Sequence, residues 1–202
     1  MIRSDFLAKQ PTLKTQRTQL VPMEPRFGPQ VWRADNAPEI QRLTGAHRAP
    51  DQDQLKAHLA AMAGRDDRAE WAIIRNQDSS YLGRTALDDL DPDNESMRFS
   101  ITLRGTDVVG QGYGTEAAEA VINFGLGILG LHRIGLRVYA FNERAITSFS
   151  KLGFRTEGVL RHALRWDGRW YDQMIMSVLT PGALDEEPDS EDSATQGTQG
   201  TQ

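Results

Sequence analysis

The sequence predicts an α/β fold, in which a mixed central β-sheet is flanked by helices, and three features support this prediction. Segments with the two-residue alternation of strands take turns along the chain with segments that have helical periodicity. A glycine-rich turn at residues 110–114 leads from a strand-like run directly into a helical pattern. Near the end of the chain, Asp167-Gly168 separates two alternating runs, a composition typical of a two-residue hairpin. Because helical crossovers join parallel strands and hairpins join antiparallel ones, both kinds of pairing are expected.

The composition is that of an ordinary globular protein. The 202 residues are 25% charged and 39% hydrophobic, which suits one domain with a sizeable core. Cysteine does not occur in the sequence, which excludes disulfides, thiolate metal sites and a cysteine nucleophile. The four histidines show no ligand spacing, so no metal is expected. No run approaches the roughly 18 apolar residues that span a bilayer, and we predict a cytoplasmic protein.

The net charge of −5 comes mainly from the C-terminal tail rather than from the folded part. Without the six carboxylates of residues 185–192, the remaining chain is near +1. Residues 182–202 are acidic and then repeat Thr-Gln-Gly with almost no apolar side chain, so we expect them to be disordered. The folded domain is expected to span residues 12–181. It has no basic patch for nucleic acid and no membrane-binding surface.

The N-terminal third predicts one strand and two helices. After a leader at residues 1–11, which we expect to be flexible, residues 13–21 alternate as a mostly polar strand that ends at Pro22. Residues 27–44 have a helical pattern interrupted by two prolines, and residues 51–62 predict a second helix. We expect both helices to lie across one face of the sheet.

The middle of the chain predicts a meander of three strands. Residues 70–75 form a short buried strand, and residues 81–90 and 97–103 form the next two. The run Asp91-Pro92-Asp93-Asn94 between the last two has the composition of a turn. The third strand delivers the chain to the glycine-rich turn.

The C-terminal part predicts a helical crossover followed by a hairpin. Its predicted elements are a helix at 115–129, a strand at 132–140, a helix at 142–152 and strands at 159–166 and 169–179. Gly125 and Gly127 weaken the end of the first helix by about 1 kcal/mol each relative to alanine. Close packing against the sheet or fraying of the helix end would explain them.

Glycines at positions 110, 112 and 114 predict an anion-binding turn at the start of a helix. Glycine adopts positive φ and has no Cβ, so backbone amides can close on a ligand. The unpaired amides of a first helical turn and the helix dipole both favour negative charge, such as a phosphate or pyrophosphate. The alternatives are a plain flexible loop, a dinucleotide fingerprint and a P-loop. The third glycine comes one residue too early for the fingerprint, and the next strand ends in Phe141-Asn142 instead of an acidic residue. The P-loop is excluded because no Gly-Lys-Ser/Thr follows the glycines.

Two stretches taken together resemble the GCN5-related N-acetyltransferase (GNAT) family. They are residues 110–117, with the sequence GQGYGTEA, and residues 142–158, which contain NERAI and KLGFRTEG. The chain is more narrowly similar to the RimJ/RimL subgroup, to which the pattern Asp167-Gly168-x-x-Tyr171-Asp172 also corresponds. The resemblance is strongest over residues 82–179 and absent from the tail.

The resemblance implies a site for acetyl-CoA as co-substrate. The family lays the pyrophosphate on the amides of the glycine turn and runs the pantetheine arm beside the preceding strand, like an added strand. An asparagine contacts the arm, although Asn142 also suits a plain helix N-cap. The residues expected to bind the cofactor are Ile101, Leu103, Gln111, Gly112, Tyr113, Gly114, Thr115, Asn142 and Phe149.

The reaction implied by the resemblance is direct attack of an amine on the thioester, which needs a base and an acid. Here the chain departs from the family pattern. Phe149 stands where many members have a tyrosine acid, Ala145 where some have a serine, and Arg98 where an acidic residue is common. The catalytic residues are therefore not identified by the resemblance. Weak candidates are Glu95, Ser148 and Tyr171, followed by Ser150, Tyr139, Asp88, Asp89 and Asp172.

Two hypotheses for the function follow. The first is an acetyl-CoA-dependent N-acetyltransferase that acts on a protein N-terminus or a small amine. The second is a non-catalytic acyl-CoA-binding module with a lapsed active site, which the missing hydroxyls at positions 145 and 149 favour. A homodimer through the C-terminal strands is a further hypothesis.

Overall fold

The centre of the molecule is an eight-stranded mixed sheet, seen in a computed structural model that describes residues 2–182. The strands are β1 (Leu13–Lys14), β2 (Thr18–Pro22), β3 (Ala69–Arg75), β4 (Tyr81–Asp91), β5 (Ser96–Leu103), β6 (Arg133–Tyr139), β7 (Arg155–Trp166) and β8 (Arg169–Leu179). The helices are α1 (Asp5–Lys9), α2 (Gly28–Asp35), α3 (Pro38–Thr44), α4 (Gln52–Ala60), α5 (Tyr113–Asn123) and α6 (Glu143–Lys151). The strand order is β1-β2-β3-β4-β5-β6-β8-β7, which confirms the predicted α/β fold with a mixed sheet.

Strands β5 and β6 are the one parallel pair among the described residues, and they stay together only at one end. Ser96, Met97 and Arg98 pair with Arg133, Ile134 and Gly135. Beyond these three pairs, the rest of β5 has no partner on the β6 side, while β6 continues along β8 as far as Tyr139. The two strands therefore open into a gap, which we call the splay.

Each face of the sheet has its own hydrophobic core. On the α5 face, α1, α5 and α6 cover Trp71, Phe99 and other buried side chains. On the α2 face, α2 and α4 pack Val31 and Leu59 against Ala72 and neighbouring residues. The splay lies between these two layers, so a group within it is accessible from both.

Pro38 divides the predicted helix of residues 27–44 into α2 and α3. Asn36 ends α2 by donating its backbone N–H to Trp32 O at 3.1 Å, and Ala37 takes an extended conformation with ψ of 125° before the proline. The residue before a proline avoids the helical region, which explains the break. The predicted helix of residues 51–62 is α4. Asp51 and Gln54 form a capping box at its N-terminus.

The N-terminal residues differ from the sequence-based expectation. The predicted strand of residues 13–21 is two strands, because a tight turn at Thr15 folds β1 back onto β2. Thr15 Oγ1 donates to Thr18 O at 2.8 Å and closes this turn. The expected flexible leader contains α1, whose Leu7 is completely buried, and Trp71 Nε1 donates to Pro11 O at 2.9 Å. The leader is therefore packed onto the domain.

Helix α5 differs from its prediction at both ends. It begins at Tyr113 rather than at Thr115, and after Asn123 the chain continues as a π-helical segment, Phe124–Leu129. A Cβ on Gly125 would lie 2.7 Å from Ile134 Cδ1, so close packing against β6 explains this glycine. Nothing lies within 4 Å of a Cβ on Gly127. The predicted disordered tail, apart from Gly182, lies outside the described residues.

Candidate active site

The glycine turn forms a cradle of backbone groups at the N-terminus of α5. Gly110 and Gly112 have φ of 83° and 84°, the left-handed conformation that favours glycine. Gly112 is the N-cap of α5, and no side chain caps the first amides of the helix. A Cβ on Gly114 would lie 3.4 Å from Leu103 Cδ1, so this glycine lets the helix approach β5. The free amides and the helix dipole make this turn suitable for a phosphate group.

Two guanidinium groups flank the cradle and add positive charge to it. Arg17 Nη1 donates to Gln111 O at 2.9 Å, and its guanidinium lies 4.8 Å from the centre of the Tyr113 ring. A Cβ on Gly112 would lie 2.9 Å from Arg17 Nη2. Arg144 Nη1 lies 3.9 Å from the corresponding Cβ position on Gly110. Arg17 was not predicted from the sequence as part of this site, since it lies on the turn between β1 and β2, far from the glycines along the chain.

The splay continues from the cradle and exposes different residues on its two faces. Ile101 and Leu103 are partly buried against the core of the α5 face. Ser100 and Thr102 alternate with them and so face the α2 side. Counting on from the pair Arg98 and Gly135, Thr102 lies level with Tyr139 across the gap. Hydroxyl groups therefore line the splay on the α2 face, whereas apolar groups line it on the α5 face.

Asn142 and Phe149 bring α6 to the α5 face of the splay. Asn142 is the N-cap of α6, and its Oδ1 accepts a hydrogen bond from Ala145 N at 3.3 Å. Phe149 is 9% exposed, and its ring meets Phe99 edge to face with centroids 6.1 Å apart. A further ring, Phe154, lies 5.9 Å from Phe149. Phe149 is thus part of an aromatic cluster beneath β5.

The structure separates the three weak catalytic candidates. Glu95 precedes β5, at the end opposite to the cradle, and the eight residues to Leu103 span about 25 Å. Ser148 Oγ donates to Arg144 O at 3.0 Å, a bond within α6. Tyr171 lies beyond the end of β6, where its ring meets Phe141 edge to face at 5.1 Å. Of the three, Tyr171 shares the open end of the splay.

An aromatic rim surrounds that open end. Tyr139 and Phe141 stack with centroids 5.7 Å apart, and the guanidinium of Arg42 lies 5.2 Å from the Phe141 ring. His47, in the loop after α3, stacks on Trp166 of β7 at 5.1 Å. The rim thus joins α3 and its loop to the β7–β8 hairpin across the end of β6.

A polar cleft of about 190 Å³ lies on the α2 face beside β5. Its lining residues come from α4 and from β3, β4 and β5 with the residues that precede them: His58, Arg68, Glu70, Arg84, Thr85, Ala86, Asp88, Ser100 and Thr102. Ser100 and Thr102 belong to the separated part of β5, so the cleft adjoins the splay. This cleft was not predicted from the sequence, because its lining residues come from elements that are separate in the chain.

Glu70 is the most buried carboxylate of the cleft, with only 4% of the residue exposed. His58 Nε2 lies 3.6 Å, Arg84 Nη1 3.7 Å and Arg68 Nη2 3.8 Å from its oxygens. Burial alone raises the pKa of this carboxyl, but His58, Arg84 and Arg68 outweigh burial and hold the pKa below its usual value. Glu70 is therefore charged at neutral pH.

Two further carboxylates adjoin the cleft and have cationic partners of their own. Arg84 Nη2 donates to both oxygens of Asp35, at 3.0 and 2.9 Å, yet burial raises the pKa of Asp35 above its usual value. Arg98 Nε donates to Asp88 Oδ1 at 2.9 Å. The acidic residue expected at position 98 is thus replaced by a cation that binds an acid on the neighbouring strand.

A glycine cradle at a helix N-terminus, continuous with a gap between two parallel strands, defines a protein that binds an extended ligand carrying phosphate. The family model for the acetyltransferase (GNAT) domain matches residues 17–155. The chain belongs to the GNAT acetyltransferase family. It is an N-acetyltransferase that uses acetyl-CoA, and the cradle fits that group, since Gly112 leaves open the space that a Cβ would fill.

Relatives of known sequence and structure extend over most of the chain. The uncharacterized N-acetyltransferase YoaA of Bacillus subtilis is 24% identical over 178 residues, which are 85% of this chain and 98% of that protein. The spermidine N(1)-acetyltransferase of Escherichia coli K12 is 28% identical over 113 residues, 56% of this chain and 60% of that protein. The Vibrio cholerae spermidine N-acetyltransferase, solved with CoA and spermine, superimposes with a TM-score of 0.76 at 20% identity, covering 82% of this chain and 97% of that one. The last similarity shows the fold.

Residues 2–182 contain neither a cluster of metal-binding side chains nor a membrane-spanning helix. No group of three or more His, Asp or Glu side chains is placed to bind a metal ion in this part of the chain. None of the helices described is both long and apolar enough to cross a bilayer.

Proposed function

We propose that this protein transfers the acetyl group of acetyl-CoA to the primary amine of a small molecule. The observation that carries the proposal is the arrangement around the splay, where the phosphate cradle opens on one side and the polar cleft on the other. The acetyltransferases of spermidine among its relatives support a small amine over a protein N-terminus. A protein N-terminus stays the alternative acceptor.

The cradle and the splay are proposed to bind acetyl-CoA. The backbone amides of residues 111–115 receive the pyrophosphate, and the Arg17 guanidinium adds a positive charge beside them. Ile101 and Leu103 line the path of the pantetheine arm on the α5 face. Asn142 and Phe149 border the same path on the side of α6. Bound in this way, acetyl-CoA supplies a thioester carbonyl to the splay.

The chain's own residues orient the amine and remove its proton. The acceptor enters as an ammonium ion, so one proton leaves before the amine attacks, the N–C bond forms and the C–S bond breaks. A second proton leaves the nitrogen afterwards. One of the two protons ends on the sulfur and the other in solvent. Glu70 is a charged carboxylate in the cleft, and His58, whose side chain is 43% exposed, connects it with bulk water.

The experiment for this proposal is the release of free thiol from acetyl-CoA in the presence of small amines, polyamines, amino acids and peptides with varied N-termini. We expect turnover with a small-molecule class. Turnover with peptides alone would indicate that the acceptor is a protein N-terminus and not a small amine. Calorimetry, run in parallel, measures the binding of acetyl-CoA in the absence of an acceptor. Absence of binding at millimolar acetyl-CoA contradicts the proposal.

A non-catalytic acyl-CoA-binding module is the second candidate function. The burial of Phe149 among Phe99 and Phe154 favours it, because no hydroxyl stands where a family tyrosine acts as acid. The variant Phe149→Tyr distinguishes the enzyme from the non-catalytic module. A large gain in turnover indicates a lapsed site, whereas unchanged turnover indicates an enzyme that uses other groups.

Membership of the RimJ/RimL subgroup, a cytoplasmic location and a homodimer are also part of this proposal. The hairpin of β7 and β8 supports the dimer, because Val159, Leu160 and Trp170 are 49%, 38% and 55% exposed on it. Light scattering on a chain that ends at Leu184 tests the dimer, and a monomeric mass contradicts it.

A further inference from the structure

Arg68 differs from the other cations of the polar cleft because its buried nitrogen, Nε, makes no hydrogen bond. Its Nε is buried and has no hydrogen-bond partner within residues 2–182. Its Nη2 lies 3.8 Å from both Glu70 Oε2 and Asp88 Oδ2, which is too long for a hydrogen bond. A buried donor without a partner costs about 1–3 kcal/mol, so the position calls for an acceptor atom.

The carboxylates around Arg68 already have closer cations. Asp88 accepts from Arg98 Nε at 2.9 Å, and Asp35 accepts twice from Arg84. Glu70 has His58 at 3.6 Å and Arg84 at 3.7 Å. The guanidinium of Arg68, whose side chain is 22% exposed, is therefore the cation of the cleft that makes no hydrogen bond to these carboxylates.

The charges of the cleft balance instead of favouring a cationic ligand. Among the charged side chains that line the cleft, the guanidinium groups of Arg68 and Arg84 face the two carboxylates of Glu70 and Asp88. A polyamine carries several positive charges and is best bound by an excess of carboxylates. A neutral set of fixed charges in which one guanidinium makes no hydrogen bond to a carboxylate suits a ligand that itself carries both signs.

We infer that the acceptor is a small primary amine that also carries a carboxylate, with the carboxylate bound by Arg68 and the amine directed to the splay. The inference rests on the proposed function and names its substrate class. A guanidinium fork binds a carboxylate through two parallel hydrogen bonds, which gives both affinity and orientation. Ser100 and Thr102, at the other side of the cleft, mark where the amine reaches the splay.

The position of Arg68 sets the length of the acceptor. It precedes β3, whereas the reacting amine has to reach the edge of β5, two strands away. The guanidinium extends to within 3.8 Å of Asp88 on β4, so roughly one to two strand spacings, about 5–10 Å, remain. The carboxylate and the reacting amine are therefore several bonds apart, as in an ω-amino acid.

The experiment uses matched acceptors that differ only in the carboxylate. Glycine, 4-aminobutyrate and 6-aminohexanoate are compared with methylamine, propylamine and pentylamine in the thiol-release assay. We expect kcat/KM to be higher for each longer acid than for its matched amine by roughly 10- to 100-fold, the range of one charge-assisted contact. Glycine is expected to be the poorest of the acids. Equal turnover of acids and amines, or a preference for spermidine, overturns the inference.

Variants assign the preference to Arg68. Arg68→Gln is expected to raise the KM of the acids by roughly 10-fold or more, so that kcat/KM of each longer acid falls toward that of its matched alkylamine. Arg68→Lys keeps the charge and is expected to keep part of the preference, which separates recognition from folding. Arg65→Gln is the control, because Arg65 is exposed and bonded to Asp67 at 2.7 Å. An unchanged preference in folded Arg68→Gln contradicts the assignment.

A binding measurement separates failure of this inference from failure of the proposed function. Calorimetry with 6-aminohexanoate and with pentylamine, in the presence of CoA, reports recognition without turnover. Binding of the acid that depends on Arg68, without acetylation of any acceptor, contradicts the enzymatic proposal but supports the cleft's ligand class. Absence of both binding and turnover of the acids contradicts the inference itself.

Discussion

Arg17 and Glu116 are joined by two hydrogen bonds that tie the start of the chain to the first turn of α5. Arg17 Nε donates to Glu116 Oε2 at 2.8 Å, and Arg17 N donates to Glu116 Oε1 at 2.7 Å. Thr15 Oγ1 binds the same carboxylate. Because Arg17 also donates to Gln111 O, the pair fixes the turn between β1 and β2 over the glycine cradle.

The first prediction concerns Arg17 and the affinity for acetyl-CoA. Replacement of Arg17 by Gln removes a positive charge beside the cradle, and we expect the Kd for acetyl-CoA to rise by roughly 10-fold. Calorimetry at low and high salt measures the change, which should shrink as salt screens the charge. Arg26→Gln is the control, because Arg26 is an exposed cation on a different segment. Equal affinities of the Arg17 variant and the native protein would show that Arg17 only braces the turn.

The second prediction concerns pH and Glu116. Burial raises the pKa of this carboxyl, but hydrogen bonds from Thr15 and Arg17 outweigh burial and lower it from 4.5. A carboxyl whose folded pKa is lowered stabilises the fold above its unfolded pKa, and this stability is lost as the pH falls through the folded pKa.

We therefore expect Glu116→Gln to be destabilised relative to the native protein at pH 7, with a smaller difference at pH 3. Urea denaturation at both pH values gives the two differences. Glu119→Gln, three positions along the same helix, is the control for the loss of one negative charge. A difference that does not depend on pH contradicts the role given to the Glu116 carboxylate.

The third prediction tests the cradle with two glycines that share a backbone conformation. Gly112 and Gly64 have φ of 84° and 75°, so a valine is strained at either position. We expect Gly112→Val to abolish acetyl-CoA binding, because its Cβ would fill the space beside Arg17. Gly64→Val, whose Cβ meets nothing within 4 Å, should lose comparable stability and keep its affinity. Calorimetry measures the affinity of both variants for acetyl-CoA, and thermal unfolding measures their stability. Retained binding in Gly112→Val would show that the phosphate site lies elsewhere.

The fourth prediction compares the two glycines after α5. Gly125→Ala places a methyl group 2.7 Å from Ile134 Cδ1, and overpacking of this kind costs about 1–3 kcal/mol. Gly127→Ala meets nothing within 4 Å and should stabilise the protein by about 0.5–1 kcal/mol. Chemical denaturation measures both free energies of unfolding. A similar effect of the two substitutions would mean that packing against β6 is not what requires Gly125.

The fifth prediction concerns the N-terminal residues. Leu7 is completely buried in the core of the α5 face, so Leu7→Ala should lower the free energy of unfolding by about 2–5 kcal/mol. Lys9→Ala, at an exposed position of the same helix, should change it by no more than about 0.5 kcal/mol. A negligible effect of Leu7→Ala would restore the flexible leader expected from the sequence.

Local patterns predicted most of the elements, because alternation and helical spacing are properties of neighbouring residues. The run around Trp71 and Ile73 predicted β3 correctly, and Asp167-Gly168 predicted the β7–β8 turn, where the two residues have φ of 48° and 75°. The expectation that the leader is flexible was wrong, because the contacts that bury Leu7 are tertiary and are not visible in a local pattern. The turn at Thr15 was missed because Glu116, which binds it, is distant in sequence.

The candidate site divides in the same way. The cradle could be predicted because its three glycines lie within five consecutive residues, and their conformation is a local requirement. The polar cleft could not, because Arg84 becomes a neighbour of Arg68 and Glu70 only when β3 and β4 pair. Charged residues in a strand are ordinarily interpreted as solvent-exposed, and the sheet pairing that buries Glu70 is absent from any local pattern.

The three residue pairs between β5 and β6 also have a consequence for the dynamics of the domain. Strands β1 to β5 form one continuous ladder and β6 to β8 another. Within residues 2–182, the strands of the two ladders are joined by backbone hydrogen bonds at one end only, through these pairs and through Glu95 O, which accepts from His132 N at 2.8 Å. Such ladders are candidates for separate cooperative units in native-state hydrogen exchange. A ligand that fills the splay would couple them, so the amides of both units should become protected together on binding.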